Sequence, residues 1–497
     1  MAEAVAGFYA VESILEGAAV GALAVSQQTV PLHAHFKKVS SPSAGLALSG
    51  STVSIIKNKI YLVGGETLRE QEDYGVHVLS LPPDFGSSRT DAAKSIDIDY
   101  ELLKPGLESE RRPLQLENGQ LGEHSSSRKK QSHRSPWSRI KHAATSIEDK
   151  CYILGGLSAT STDSRTSNTD SIIPLNTITV YDTLRTSYAV IQADSTKCTE
   201  GIPEPRYSAS CTSSPYPPPM SIAAGQGPSL DLHGTVFLHG GYDVSGQPLN
   251  DTWTFDIGTR AWHKFPTTVE EAVQDDSTPG RIVYVEHRLW YLNRRTVMYL
   301  DLAEHDPEHN EAVSQDTAAL STGRVGSGQW QVVYPSAQHD PAVPAGGAQS
   351  SDTEKQDTTA APPQNGPSGP TEHVIPISTG AGRTYLLTLS ATKPQTMHLF
   401  QIPSSAKTAA SIKDAVRDKA TAAIQSLSDS WKSGKHEWSK VEVVQSSMAE
   451  GEIGRPDQTL SDFAVAGMEE YGDKFVIWGG HTADGHVENE GWIIGLD

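Results

Sequence analysis

A short apolar run ending in two glycines occurs four times in this chain. The copies are Ile60-Tyr-Leu-Val-Gly-Gly-Glu66, Cys151-Tyr-Ile-Leu-Gly-Gly-Leu157, Val236-Phe-Leu-His-Gly-Gly-Tyr242 and Phe475-Val-Ile-Trp-Gly-Gly-His481. Each run is long enough for one buried strand and too short for a helix. Glycines at a strand end allow positive φ and a close approach of neighbouring backbones. A single run of this kind carries little meaning, but four with similar flanks define a repeat. The repeated glycines are Gly64, Gly65, Gly155, Gly156, Gly240, Gly241, Gly479 and Gly480.

The third copy is the fullest. Arg206–Cys211 reads as a first strand, Val236–Leu238 as a second, Leu249–Asp256 as a third containing Trp253, and Ala261–Phe265 as a fourth containing Trp262. Four antiparallel strands in a meander make one propeller blade. Here the sequence resembles the Kelch family, whose repeat joins a double glycine to a later aromatic and a tryptophan. The resemblance covers residues 34–497 apart from insertions, and it is plainest in the second, third and sixth units.

Further strand runs complete the count. The first unit takes Thr52–Ile56, Ile60–Val63, Val76–Leu81 and Tyr100–Lys104, and the second takes Ile140–Ile147, the double-glycine run and Leu175–Asp182. The fourth and fifth have lost their glycines. They keep Arg281–Val285, Leu289–Leu292, Val297–Asp301 and Trp330–Tyr334, then Val374–Ser378, Thr384–Leu389, Met397–Ile402 and Trp438–Val443. The sixth has Phe463–Met468, Phe475–Trp478 and Trp492–Leu496, after which the sequence ends at Asp497. A three-stranded last blade leaves an open edge, which favours aggregation. Ala34–Val39 has no other assignment and is expected to supply the missing strand. The expected fold is all-β: a six-bladed Kelch-type propeller over 34–497, closed by an N-terminal strand. Residues 1–33 form a helical segment, with Val11, Leu15, Ala18 and Ala22 at helical spacing.

In such a meander the first-to-second and third-to-fourth loops share one face, and the second-to-third loops and blade links share the other. Insertions at Thr212–His233, Ala303–Gln329 and Pro403–Glu437 fall on the first face. The last carries Ala409, Ile412, Val416, Ala423, Leu427 and Trp431 near helical period, with Lys413, Asp414, Arg417 and Asp418 between them. That pattern predicts an amphipathic helix. It would serve as a strut on the rim or as a docking element. Leu157–Ile173, Pro105–Ser135 and Pro335–Thr371 fall on the second face. The last two are rich in Ser, Pro, Gln and Gly and are expected to be disordered. Ser125-Ser-Ser-Arg-Lys-Lys130 with His133, Arg134 and Ser135-Pro136 reads as a solvated loop, or as an import or phosphorylation signal.

Composition narrows the function. The net charge of −20 opposes binding to phosphate backbones and anionic lipid. Ala18–Val25 is too short to span a bilayer, and the first residues carry acids where a signal peptide has bases. The expected setting is the cytoplasm, with the basic island leaving the nucleus open. Cys151, Cys198 and Cys211 are too few and scattered for a disulfide framework or zinc cluster. The sequence has no phosphate loop, no His-Glu-x-x-His, no Cys-x-x-Cys and no Gly-x-Ser-x-Gly. His33 with His35 and His481 with His486 are pairs without an evident third ligand. Galactose oxidase has blades of this type, but its copper set of two tyrosines, two histidines and a tyrosine-linked cysteine has no placement here. The Glu-x-x-x-Asp-x-x-x-His pattern of the plant specifier propellers is absent. No catalytic residue, cofactor or metal is expected.

The resemblance implies an intracellular interaction scaffold that binds other proteins; the acidic charge argues against nucleic acid as a partner, and a monomer is expected. Arg69, Tyr74, Tyr242 and His481 are the candidate contacts, whereas Arg206 and Tyr207 sit at repeat positions and read as structural. The alternative is an enzyme of small-molecule metabolism using the central pocket. Convergent polar groups in the channel would favour the enzyme, and an apolar patch on the loop face would favour the scaffold.

Overall fold

The computed structural model describes residues 32–40, 46–66, 75–82, 96–107, 136–158, 172–217, 232–265, 279–293, 296–302, 330–333, 371–378, 384–390, 392–402, 438–443, 459–468, 470–488 and 490–496. Among them the structure is all-β, and its main sheets form a six-bladed propeller around a common axis. Arg69, Tyr74, the N-terminal segment before residue 32, the helix expected within 403–437 and most of the other insertions lie outside the described residues.

Each blade begins at the axis. The innermost strands are Thr52–Ile56, Ala143–Ile147, Ser210–Ser214, Arg281–Val285, Thr371–Ser378 and Ala464–Gly467. Each touches the next around the ring, and the sixth touches the first. The second strands are buried along most of their length, as in Lys59–Val63, Lys150–Leu154, Thr235–His239 and Lys474–Trp478. Their near-continuous apolar character follows from burial of both sheet faces, because a blade packs against two neighbours.

The core is accordingly divided. Among the described residues six hydrophobic clusters occur, one in each seam between adjacent blades. Tyr61 and Val78 of blade 1 meet Cys151 and Tyr181 of blade 2, and Phe237 of blade 3 meets Leu289 and Tyr291 of blade 4. The distributed core lets the six blades of the described residues form one ring without a single central hydrophobic core.

Ring closure is the expected one. His33–Ser40 is the outer strand of blade 6 and pairs antiparallel with Gly491–Leu496, from Ala34 opposite Leu496 to Val39 opposite Gly491. Its outer edge is partly covered. Glu442–Val443 pairs parallel with His33–Ala34, and Ile96–Asp97 with Val39–Ser40. Gly106–Leu107 adds a parallel strand to the outer strand of blade 2 in the same way. Short strands on the rim occupy backbone groups that would otherwise offer an open edge.

Some boundaries differ from the sequence reading. Blade 3 begins at Ser210, not Arg206, because Ser208 turns the chain at φ 53° and Tyr207 pairs with Tyr242 instead. Thr212–Ser214 therefore belongs to the strand and not to the insertion. In blade 2, Lys141 at φ 52° separates Arg139–Ile140, which pairs with Leu157–Ser158, from the innermost strand. Blade 2 also has a fourth strand, Ser187–Gln192, which the sequence reading left unassigned. The insertion placed at Pro105 opens with the rim strand Gly106–Leu107, and the blade 5 strand begins at Thr371.

The tryptophans of the fourth strands explain how blades 4 and 5 persist without their glycines. Trp262 lies opposite Phe255 across its blade, and Trp438 lies opposite Phe400 in the same register, with ring centroids 5.1 and 5.2 Å apart. Trp330 packs on Tyr291 at the corresponding end of blade 4. Aromatic burial thus survives where the turn signal does not.

Candidate functional site

The double glycines are the latches of one face. All eight adopt positive φ, between 57° and 109°. The N–H of Gly65 donates to the Arg139 carbonyl (2.9 Å), that of Gly156 to Arg206 (3.0 Å) and that of Gly480 to Leu48 (3.0 Å). Each acceptor lies in the lead-in to the next blade, so the third of these bonds crosses the closing seam. A Cβ on Gly479 would stand 2.1 Å from the Leu48 carbonyl, so the contact excludes any side chain. Beyond each pair the chain returns to its own lead-in, through Ser49–Glu66, Ile140–Leu157, Tyr207–Tyr242 and Ser461–His481.

Inside these latches the lead-ins form a belt at the channel mouth. Gly50 N–H donates to Asp462 (2.9 Å), Lys141 N–H to Gly50 (2.7 Å) and Ser208 N–H to Lys141 (2.7 Å). Arg281 Nη1 donates to the Ser208 carbonyl (3.0 Å), which carries the belt to blade 4. Asp462, Gly50, Lys141 and Ser208 share φ between 52° and 65°. Three of the four carry side chains in the left-handed region, a strain held by the chain of hydrogen bonds from one lead-in to the next.

The channel behind the belt has a volume of about 280 Å³. Its lining combines hydroxyls such as Thr52, Thr145 and Thr212 with Lys141, Arg281, His142, His373 and Asp462. These groups are engaged with one another. Lys141 Nζ pairs with Asp462 at 3.0 Å, and His142 Nε2 lies 2.7 Å from Thr52 Oγ1. Burial, followed by the nearby Arg139 charge, lowers the His142 pKa to about 3; burial and then Arg281 do the same to His373. Burial also raises the Cys211 thiol, so this channel residue stays protonated and is a poor nucleophile.

Two buried arginines brace the lead-ins. Arg206 is 1% exposed and forms a fork with Asp251: Nη2 donates to Oδ2 at 3.0 Å while Nη1 reaches Oδ1 and the Gly240 carbonyl. Asp251 also accepts from Trp253 Nε1 at 2.6 Å, and Trp262 Nε1 ties blade 3 to the Leu175 carbonyl of blade 2. Arg139 is the blade 2 counterpart. It reaches Gly155 O (3.4 Å), Pro136 O (2.7 Å) and the Thr179 hydroxyl (3.2 Å), and its burial lowers its pKa to about 10.

Tyr242 and His481 lie on this face at equivalent positions of blades 3 and 6. Both are half-buried. Tyr242 stacks on Tyr207 at 5.6 Å, and His481 Nδ1 hydrogen-bonds Ser49 Oγ. The hairpin after Tyr242 is rigid: Asp243 Oδ1 accepts from Ser245 N–H, Ser245 Oγ and Gln247 N–H, each at 2.8 Å. It presents Val244, which is 41% exposed. Sequence reasoning did not single out Lys141, His142, Arg281, His373 or Asp462. Their only signal is their position just before, or at the start of, an innermost strand. The described residues include no group of three or more His, Cys, Asp or Glu able to hold a metal ion, and no helix long and apolar enough to cross a membrane.

No family model matches the chain, and no curated protein matches it significantly. Among solved structures, one titled "Structure of YjhT" aligns over 93% of this chain and 99% of its own, with 11% identity and a TM-score of 0.41.

Proposed function

We propose that this chain is a Kelch-type ring that works inside the cell, in the cytoplasm, as a monomeric scaffold for other proteins. The observation that carries this reading is the aromatic hairpin on the double-glycine face. The half-buried Tyr207–Tyr242 stack lies at the base of a hairpin that is braced by Asp243 and presents the exposed Val244, so little conformational entropy is lost on binding. His481 holds the equivalent position on blade 6, across the ring. Tyrosine at such a spot is a common anchor of protein interfaces. The helix predicted within 403–437 is a second candidate contact.

A second reading draws on the channel, where Lys141, Arg281, His373 and Asp462 converge as a pocket for a small polar substrate requires. It is the weaker reading, because Lys141 is paired to Asp462 and Arg281 donates to the Ser208 carbonyl.

Affinity purification with mass spectrometry tests the proposal, using the full chain, a Tyr207→Ala/Tyr242→Ala variant, and a chain with 404–433 replaced by a Gly-Ser linker. The tyrosine variant is expected to weaken at least one partner about tenfold or more while its circular dichroism melt stays close to wild type. If it is folded and retains every partner, the hairpin is not the contact. If the linker variant loses a partner while folded, the contact moves to the insertion. A metabolite turned over by the purified chain, with no stable partner found, replaces the scaffold by the channel reading.

A further inference from the structure

Three histidines occupy alternate seams of the ring. His142 leads into blade 2 and bonds Thr52 of blade 1, while its Nδ1 is enclosed with no hydrogen-bond partner. His239 ends the second strand of blade 3 against Tyr291 of blade 4, with ring centroids 5.0 Å apart. Its Nδ1 bonds Thr252 Oγ1 at 2.8 Å, and its Nε2 is enclosed without a partner. His373 of blade 5 packs on Phe463 of blade 6 at 4.8 Å, again with an enclosed, partnerless Nε2.

A second proton on any of these rings would create an enclosed N–H with no protein acceptor, inside the seam at His239 and at the channel wall at His142 and His373. Neighbouring cations oppose it further at His142 and His373, whereas at His239 burial is the main obstacle. His142 lies near Arg139, and the adjacent Lys141 is neutralised by Asp462 of blade 6. His239 is set among Arg206, Arg281 and Asp251, and only the last favours a proton. His373 lies near Arg281 of blade 4, which opposes a proton; on the blade 6 side a backbone hydrogen bond with Phe463 favours one to a lesser degree, and Asp462 is already paired.

We propose that the ring carries a built-in acid release, in which protonation of His142, His239 and His373 loosens the 1–2, 3–4 and 5–6 seams. The direction follows from linkage. The folded values are lowered to about 3, against 6.5 for an ordinary histidine. The unfolded chain therefore binds more protons between these limits. Stability is fully present above pH 6.5 and is lost as pH falls toward 3.

The test is urea unfolding of the full chain at pH 7.5, 6 and 5, followed by tryptophan fluorescence, beside a His142→Gln/His239→Gln/His373→Gln variant. Each histidine contributes up to about tenfold in the unfolding constant per pH unit within the window. Between pH 6 and 5 the wild-type constant is expected to rise up to about a thousandfold more than that of the triple variant. Carboxylates titrate alike in both chains and cancel. Parallel pH curves would overturn the proposal. Should the triple variant fail to fold, the three single variants serve in its place, and each is expected to remove up to tenfold per pH unit. Histidine Cε1–H resonances of the folded wild type provide an independent readout: these three rings stay neutral at pH 5, and their titration near 6.5 would contradict the mechanism.

Discussion

A chain lacking residues 1–40 is expected to unfold roughly 10 °C lower than the full chain and to aggregate on heating. The deletion removes the outer strand of blade 6, including the buried Ala34 and Val39, and bares the edge of Gly491–Leu496. That edge carries Trp492, Ile493 and Ile494 in succession, a hydrophobic strand with an unpaired row of backbone groups. Lost burial and six lost strand pairings together amount to about 3 kcal/mol, and each kcal/mol moves the midpoint by roughly 2–4 °C in a large domain. Differential scanning calorimetry with light scattering measures both effects. Equal midpoints for the full chain and the 1–40 deletion would show that the strand does not hold the ring shut.

The second large effect is expected at Asp251. Asp251→Ala leaves Arg206 buried with its charge uncompensated, at a cost of about 3–5 kcal/mol, and also strands Trp253 Nε1. Replacing both partners, as Arg206→Met with Asp251→Leu, is expected to recover much of the loss, because no charge is then left without a partner. Urea unfolding of the two single variants and the pair completes a double-mutant cycle. A loss below about 1 kcal/mol for Asp251→Ala would mean that Arg206 is satisfied by the Gly240 and Glu204 carbonyls alone.

Blade 2 shows how such a site tolerates divergence. There Asn176-Thr-Ile-Thr179 stands where blade 3 has Asn250-Asp-Thr-Trp253, and Arg139 makes do with the Thr179 hydroxyl. The arginine keeps its reach to the first glycine carbonyl of its own blade in both cases. That geometric role outlasts the ion pair.

The number of blades, the order of their strands and the closing role of Ala34–Val39 were determined by the sequence alone. They rest on local signals: alternating short apolar runs, paired glycines that demand positive φ, and tryptophans at the fourth-strand position. Even blades 4 and 5 were legible, since Trp330 and Trp438 mark strands where the glycines are gone. Tertiary structure alone decided where the lead-ins stop and the innermost strands begin. Ser208, Lys141 and Asp462 adopt left-handed backbone only because each is held by a hydrogen bond from the next blade. It also decided which polar residues converge on the channel. Lys141, Arg281, His373 and Asp462 come from four different blades, scattered over more than 300 positions of the chain. No local pattern specifies such a meeting, because it follows from closing the ring.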